Sequence, residues 1–77
     1  MKYYLHRDKQ PETDGGHYEI HKSNCIYYIF YKGHGNFIEL GSFSSDIDAL
    51  NYAKNTYTTY APDIDGCKRC CSSINSD

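Results

Sequence analysis

The chain has 77 residues and a formal net charge of −2, with eight lysines and arginines against ten aspartates and glutamates. A chain this short buries only about 60% of the surface its unfolded form exposes, so its apolar core is marginal and a disulfide, metal or partner is expected to supplement it. The acidic balance disfavours a phosphate-driven nucleic-acid binder, and no stretch reaches the length needed to span a membrane.

Tyr3, Leu5 and Arg7 alternate with Tyr4 and His6, the period of a first strand. The same segment has no apolar signal-peptide core, so the expected address is cytoplasmic, where thiols stay reduced. Asp8 to Gly16 is polar, contains Pro11 and ends in a glycine pair, which predicts a loop. A second strand is expected at His17–His21, with His17, Glu19 and His21 on one face and Tyr18 and Ile20 on the other. Cys25 to Tyr31 is continuously apolar, aromatic or β-branched and short, which favours a third strand. With Lys32 to Asn36 as its turn and Phe37 to Phe43 as the returning strand, it reads as a hairpin.

The single clear helix follows Ser44-Ser45. Ser45 is placed to cap it, Asp48 stands at the capping-box position, and Asp46 adds negative charge to the first turn. Ile47, Leu50, Ala53 and Tyr57 make an apolar stripe at helical spacing, and Thr58, Thr59 and Pro62 end it. Gly66 then permits a tight turn into the last cysteines. The whole chain, residues 1–77, is expected to be one domain, partly flexible at 1–16 and 72–77. The fold class is α+β: a small antiparallel sheet of three to four strands with one main helix.

Chemistry is concentrated in two short pieces. His21 and Cys25 form an H-x3-C half-site; Cys67 and Cys70 form a C-x2-C half-site. Three thiolates and one imidazole from two loops are the donor set of a tetrahedral structural zinc. A disulfide is the weaker alternative, because the expected compartment is reducing and Cys70 and Cys71 are neighbours. Cys71 is an alternative ligand to Cys70; otherwise it is a thiol packed against the helix, or a reactive thiolate beside Lys68 and Arg69. His17 reads as a solvated strand histidine, its spacing to Cys25 being long for a substitute ligand; Glu19 is an orienting partner for His21 or an exposed strand carboxylate, and His34 a turn residue. No paired acid and base, nucleophile elbow or phosphate loop is present in the sequence, so catalysis is not expected.

His21-x3-Cys25, then Tyr28, Phe43-x-Ser45, Ala49 and Gly66-Cys67-x2-Cys70, resemble the metal-binding module of Ada-type DNA methylphosphotriester repair proteins over about His17 to Cys71. They also resemble short bacterial proteins ending in a G-C-x2-C-C knuckle. The resemblance implies a zinc-stapled α+β fold. Ada-type repair moves a methyl group onto a zinc-bound cysteine of a four-cysteine site, whereas this chain has His21 at the first position and lacks the basic DNA-facing surface. The expectation is therefore a monomeric interaction module with a structural zinc and a protein partner. A thiol alkyl acceptor and a redox-sensing thiol protein are the alternatives.

Overall fold

The computed structural model describes residues 1–7, 17–33 and 35–75. The expected loop over Asp8 to Gly16, the turn residue His34 and the last two residues lie outside them. The described residues form strand β1 (Lys2–His6), β2 (Tyr18–Lys22), helix α1 (Ile26–Tyr31), β3 (Phe37–Ser42), helix α2 (Asp46–Thr56) and the three-residue strand β4 (Ile64–Gly66). Short 3-10 turns at Ala61–Asp63 and Ser72–Ile74 flank β4. No helix among the described residues is long and apolar enough to cross a membrane.

The strands order as β3-β1-β2-β4 in one sheet. β1 pairs antiparallel with both β2 and β3, while β4 joins β2 in parallel with Tyr18 opposite Ile64 and Ile20 opposite Gly66. Pairing Leu5 with Ile20 and Tyr4 with His21 sorts the side chains into two faces. One face carries Tyr3, Leu5 and Ile20 under α2; Leu5 and Ile20 are fully buried, each contributing about 1.5–3 kcal/mol of transfer free energy. The other face carries Tyr4, His6, Glu19 and His21, and α1 lies on it. That division matches the one read from β2.

α2 begins as its sequence predicts, with the Ser45 hydroxyl accepting the Asp48 backbone N–H at 3.3 Å. Its buried face differs. Ala49 and Ala53 are enclosed, whereas Ile47 is 50% exposed. Asp46 sets this rotation: its carboxylate accepts hydrogen bonds from the Tyr3 and Ser73 hydroxyls and lies 3.6 Å from the Lys22 ammonium. With Asp46 turned to the sheet, 49, 50 and 53 follow it inward at helical spacing and 47 turns out. Burial works against the charge on Asp46, but the Tyr3, Ser73 and Lys22 contacts outweigh it and hold the carboxyl below its ordinary range.

Cys25 to Tyr31 is the larger departure. It is not a strand, and the expected hairpin with Phe37–Phe43 is absent; β3 pairs with β1 instead. An unbroken apolar run has no period of its own, and packing decides it. As a helix it places Tyr28 and Tyr31 on the sheet, with Tyr28 stacked on Tyr4 at 4.2 Å between ring centroids and edge-on to Phe37 at 5.0 Å, and Tyr31 stacked beside His6 at 6.0 Å. Both lateral positions beside β1 are already filled.

Gly66 also serves a purpose other than the expected turn. It sits inside β4, where a Cβ would lie 2.7 Å from the Cys71 carbonyl oxygen and collide with the Ile74 side chain. Close packing, not backbone freedom, excludes a larger residue. Gly66→Ala is expected to cost about 1–3 kcal/mol through overpacking, lowering Tm by about 4 °C or more, whereas Gly33→Ala, with nothing within 4 Å of its new Cβ, leaves thermal denaturation unchanged.

Candidate metal centre

Two turns bring the half-sites together. His21 is near the end of β2, and the Cys25 backbone N–H bonds to the Lys22 carbonyl at 3.0 Å, closing a turn that returns Cys25 beside it. The Cys25 carbonyl then accepts the Ile29 N–H at 2.9 Å, so Cys25 starts α1. The second half-site arrives through the sheet. Beyond Gly66 the β2/β4 pairing continues with the Cys67 N–H donating to the Ile20 carbonyl at 2.9 Å, which sets Cys67 next to His21. The chain then coils once, Cys71 N–H to Cys67 carbonyl at 2.8 Å, and returns Cys70 to the same point.

His21, Cys25, Cys67 and Cys70 thereby offer one imidazole nitrogen and three sulfurs, all within 4.8 Å of one another. The Cys25 sulfur is 3.5 Å from His21 Nδ1 and 3.9 Å from the Cys67 sulfur. Bond lengths of about 2.3 Å to sulfur and 2.1 Å to nitrogen at a tetrahedral centre require sulfur–sulfur and sulfur–nitrogen separations of about 3.8 and 3.6 Å. The two contacts fit that requirement. The four residues are positioned to bind a metal ion, and all four cysteines are free thiols.

The surroundings suit a thiolate cluster. The Lys22 backbone N–H points at the Cys70 sulfur, 3.4 Å away, as a donor to a sulfur that carries charge when a metal is held. His21 Nε2 lies 3.4 Å from Glu19 Oε1. This leaves Nδ1 facing the sulfurs and gives Glu19 the role of fixing the ring and its tautomer. Glu19 is buried rather than exposed, at the base of a hollow walled by Tyr27 and Tyr31 of α1. A sequence that reads α1 as a strand gives no sign of those walls.

Cys71 is completely buried in the core beside Ala49 and Ala53 and stands outside the four-residue cluster, its sulfur 3.7 Å from that of Cys70. His17 is also apart: its Nδ1 lies 3.8 Å from Asp65 Oδ2, at the β2/β4 edge. Comparison with protein families, with curated proteins and with solved structures finds no match.

Without a cation the cluster favours protonated thiols. The Cys67 thiol is pushed from its ordinary 9.0 up to about 11, first by the neighbouring Cys70 thiol and then by burial. For Cys70 the hydrogen bond with Cys67 lowers the value, but the Cys71 thiol and burial outweigh it and the net direction is up. A group raised in the folded state contributes stability that is present below its unfolded pKa and lost as pH rises through the folded one. The metal-loaded fold, its thiols already deprotonated, is therefore expected to keep its urea midpoint by circular dichroism between about pH 9 and pH 11, the window in which a metal-free fold would lose this contribution.

Ligand roles separate by substitution. Cys70→Ser is expected to abolish stoichiometric metal binding and Cys71→Ser to retain it, while Glu19→Gln weakens affinity about 10–100-fold by releasing the His21 ring. Competition with a chromophoric chelator reads all three.

Proposed function

We propose that this chain is a small cytoplasmic interaction module whose fold is stapled by one structural zinc held by His21, Cys25, Cys67 and Cys70. The observation that carries the reading is the convergence of those four donors, three of them buried, from two turns that the sheet brings together. Sulfur-rich tetrahedral sets suit zinc, which adds no redox chemistry and holds such sites closed. Four protein donors complete a tetrahedron and leave no position for a reacting water. The zinc supplies cross-linking and charge neutralisation; the chain supplies the second-layer support of Glu19 and the Lys22 N–H.

The Ada-type spacing agrees with the zinc but does not extend to methyl transfer. Histidine in place of a fourth thiolate removes one negative charge from the complex and lowers the nucleophilicity of its sulfurs. Three of the four cysteines are also buried, which restricts an alkyl donor. The same restriction counts against a redox-sensing thiol, which needs exposure and thiolate character.

Native mass spectrometry of the purified protein is expected to show one zinc per chain. Structural zinc in small domains contributes about 10–16 kcal/mol of apparent binding free energy, more than a core of this size, so chelation should collapse the amide spectrum to that of an unfolded chain. Incubation of the zinc form with methylphosphotriester DNA at physiological salt should give neither a mobility shift nor a methyl increment on Cys25, Cys67 or Cys70. A stoichiometric increment on one of them would replace the module with an alkyl acceptor. A native spectrum that survives metal removal would make the site dispensable.

A further inference from the structure

The outer side of α1 is apolar and largely exposed. Ile26, Ile29 and Phe30 are 58%, 53% and 66% exposed, and no α1 residue is fully buried. Two adjoining hollows open on this side. One, about 290 Å³, has His6, Glu19 and His21 as its floor and Tyr27 and Tyr31 as its wall. The other, about 320 Å³, lies between Ile26, Phe30 and Arg69. Tyr27, Tyr31 and Arg69 line both, so the two are halves of one groove that starts above the metal centre and runs along the helix. Lys68 and Arg69 edge it, exposed and without an ion-pair partner among the described residues.

We propose that this groove is the docking site for an acidic linear segment of a partner protein, one that sets a bulky apolar side chain beside aspartate or glutamate. The inference rests on the interaction-module reading and names the surface and the partner chemistry. Charge selects the occupant. On a chain of net charge −2, the two exposed cations at the rim attract carboxylates, the one carboxylate in the lining, Glu19, is buried against His21, and the apolar residues along α1 supply the contact area that carries most of the energy. A second copy is a poor occupant, because a twofold interface centred on this groove sets Lys68 and Arg69 against their own equivalents. A nucleic-acid strand is poorer still: the rings of Tyr27, Phe30 and Tyr31 could stack on bases, but two cations on a chain of net charge −2 give a phosphate backbone little hold.

The test is selection of random twelve-residue peptides displayed on phage against the zinc-loaded full chain. Enriched peptides are then synthesised and titrated by fluorescence anisotropy. The expected result is a shared pattern of aromatic or aliphatic residues next to aspartate or glutamate. Binding should weaken at least tenfold with Phe30→Ala and with Lys68→Glu/Arg69→Glu, and stay unchanged with Tyr52→Ala on α2. Zinc content and circular dichroism are recorded for every variant; should the charge reversal shed zinc, Phe30→Ala decides, since its side chain is outside the ligand set. No enrichment, enriched peptides lacking acids, or equal affinity for Phe30→Ala overturns the proposal. So does displacement of the peptides by an oligothymidine strand, or a concentration-dependent dimer that Phe30→Ala abolishes. A folded, zinc-loaded chain that selects nothing removes the groove and leaves the metal reading intact. A zinc-free folded chain that still selects acidic peptides removes the metal and keeps the groove.

Discussion

The parallel pairing of β4 with β2 is the contact on which the rest of the molecule depends. It is three residues long, yet it carries Gly66 to Ile20 and, one step further, Cys67 to the side of His21. Residues as far apart as Lys22 and Cys70, separated by 48 positions, meet only because of it. Such a short parallel ladder has little strength of its own. A metal joining Cys25 to Cys67, 42 positions apart, closes a long loop; for a cross-link of that span the chain-entropy treatment of disulfides gives about 4 kcal/mol of destabilisation of the unfolded chain. Ladder and donors thus support each other: the strand aims the cysteines, and an ion bound between them would hold the strand in place.

The sheet divides two tasks between its faces. Beneath α2 it is an ordinary apolar core, small because the helix contributes alanines rather than larger residues at its closest approach. On the opposite face aromatic rings and histidines pack with α1, and polar groups such as Glu19 are enclosed because they have partners. Asp46 ties the division together, since its bonds to Tyr3, Lys22 and Ser73 join the helix to two strands and to the turn that follows the cysteines.

Much of this was legible in the residues. The two half-sites pointed to the four residues that converge because histidine and cysteine are informative at fixed spacing, and β1, β2 and the Ser45 cap followed from period and local chemistry. Other features depend on packing that no local pattern carries. Ile26 to Tyr31 lacks periodicity, so only the fit of Tyr28 and Tyr31 against Tyr4 and His6 makes it helical. β4 is too short to show alternation. The inward face of α2 was misread at Ile47 because the polar anchor at Asp46, not an apolar residue, sets the rotation. Gly66 looked like a turn residue, although its requirement comes from Ile74 and Cys71.

The pairing of β3 with β1 is interrupted by a bulge, which bears on how the molecule meets others. Tyr3 faces Gly41 and Tyr4 faces Glu39, so Leu40 is an extra residue in the ladder and Gly41 takes a φ of +112° to accommodate it. β3 is one outer strand of the sheet among the described residues, and the other, β4, is only three residues long. An outer strand that bulges and one that is very short are both poor templates for another backbone. Fibre-like stacking through main-chain amides is thereby discouraged at both margins, and contact with other molecules is left to side chains, where shape and charge can discriminate.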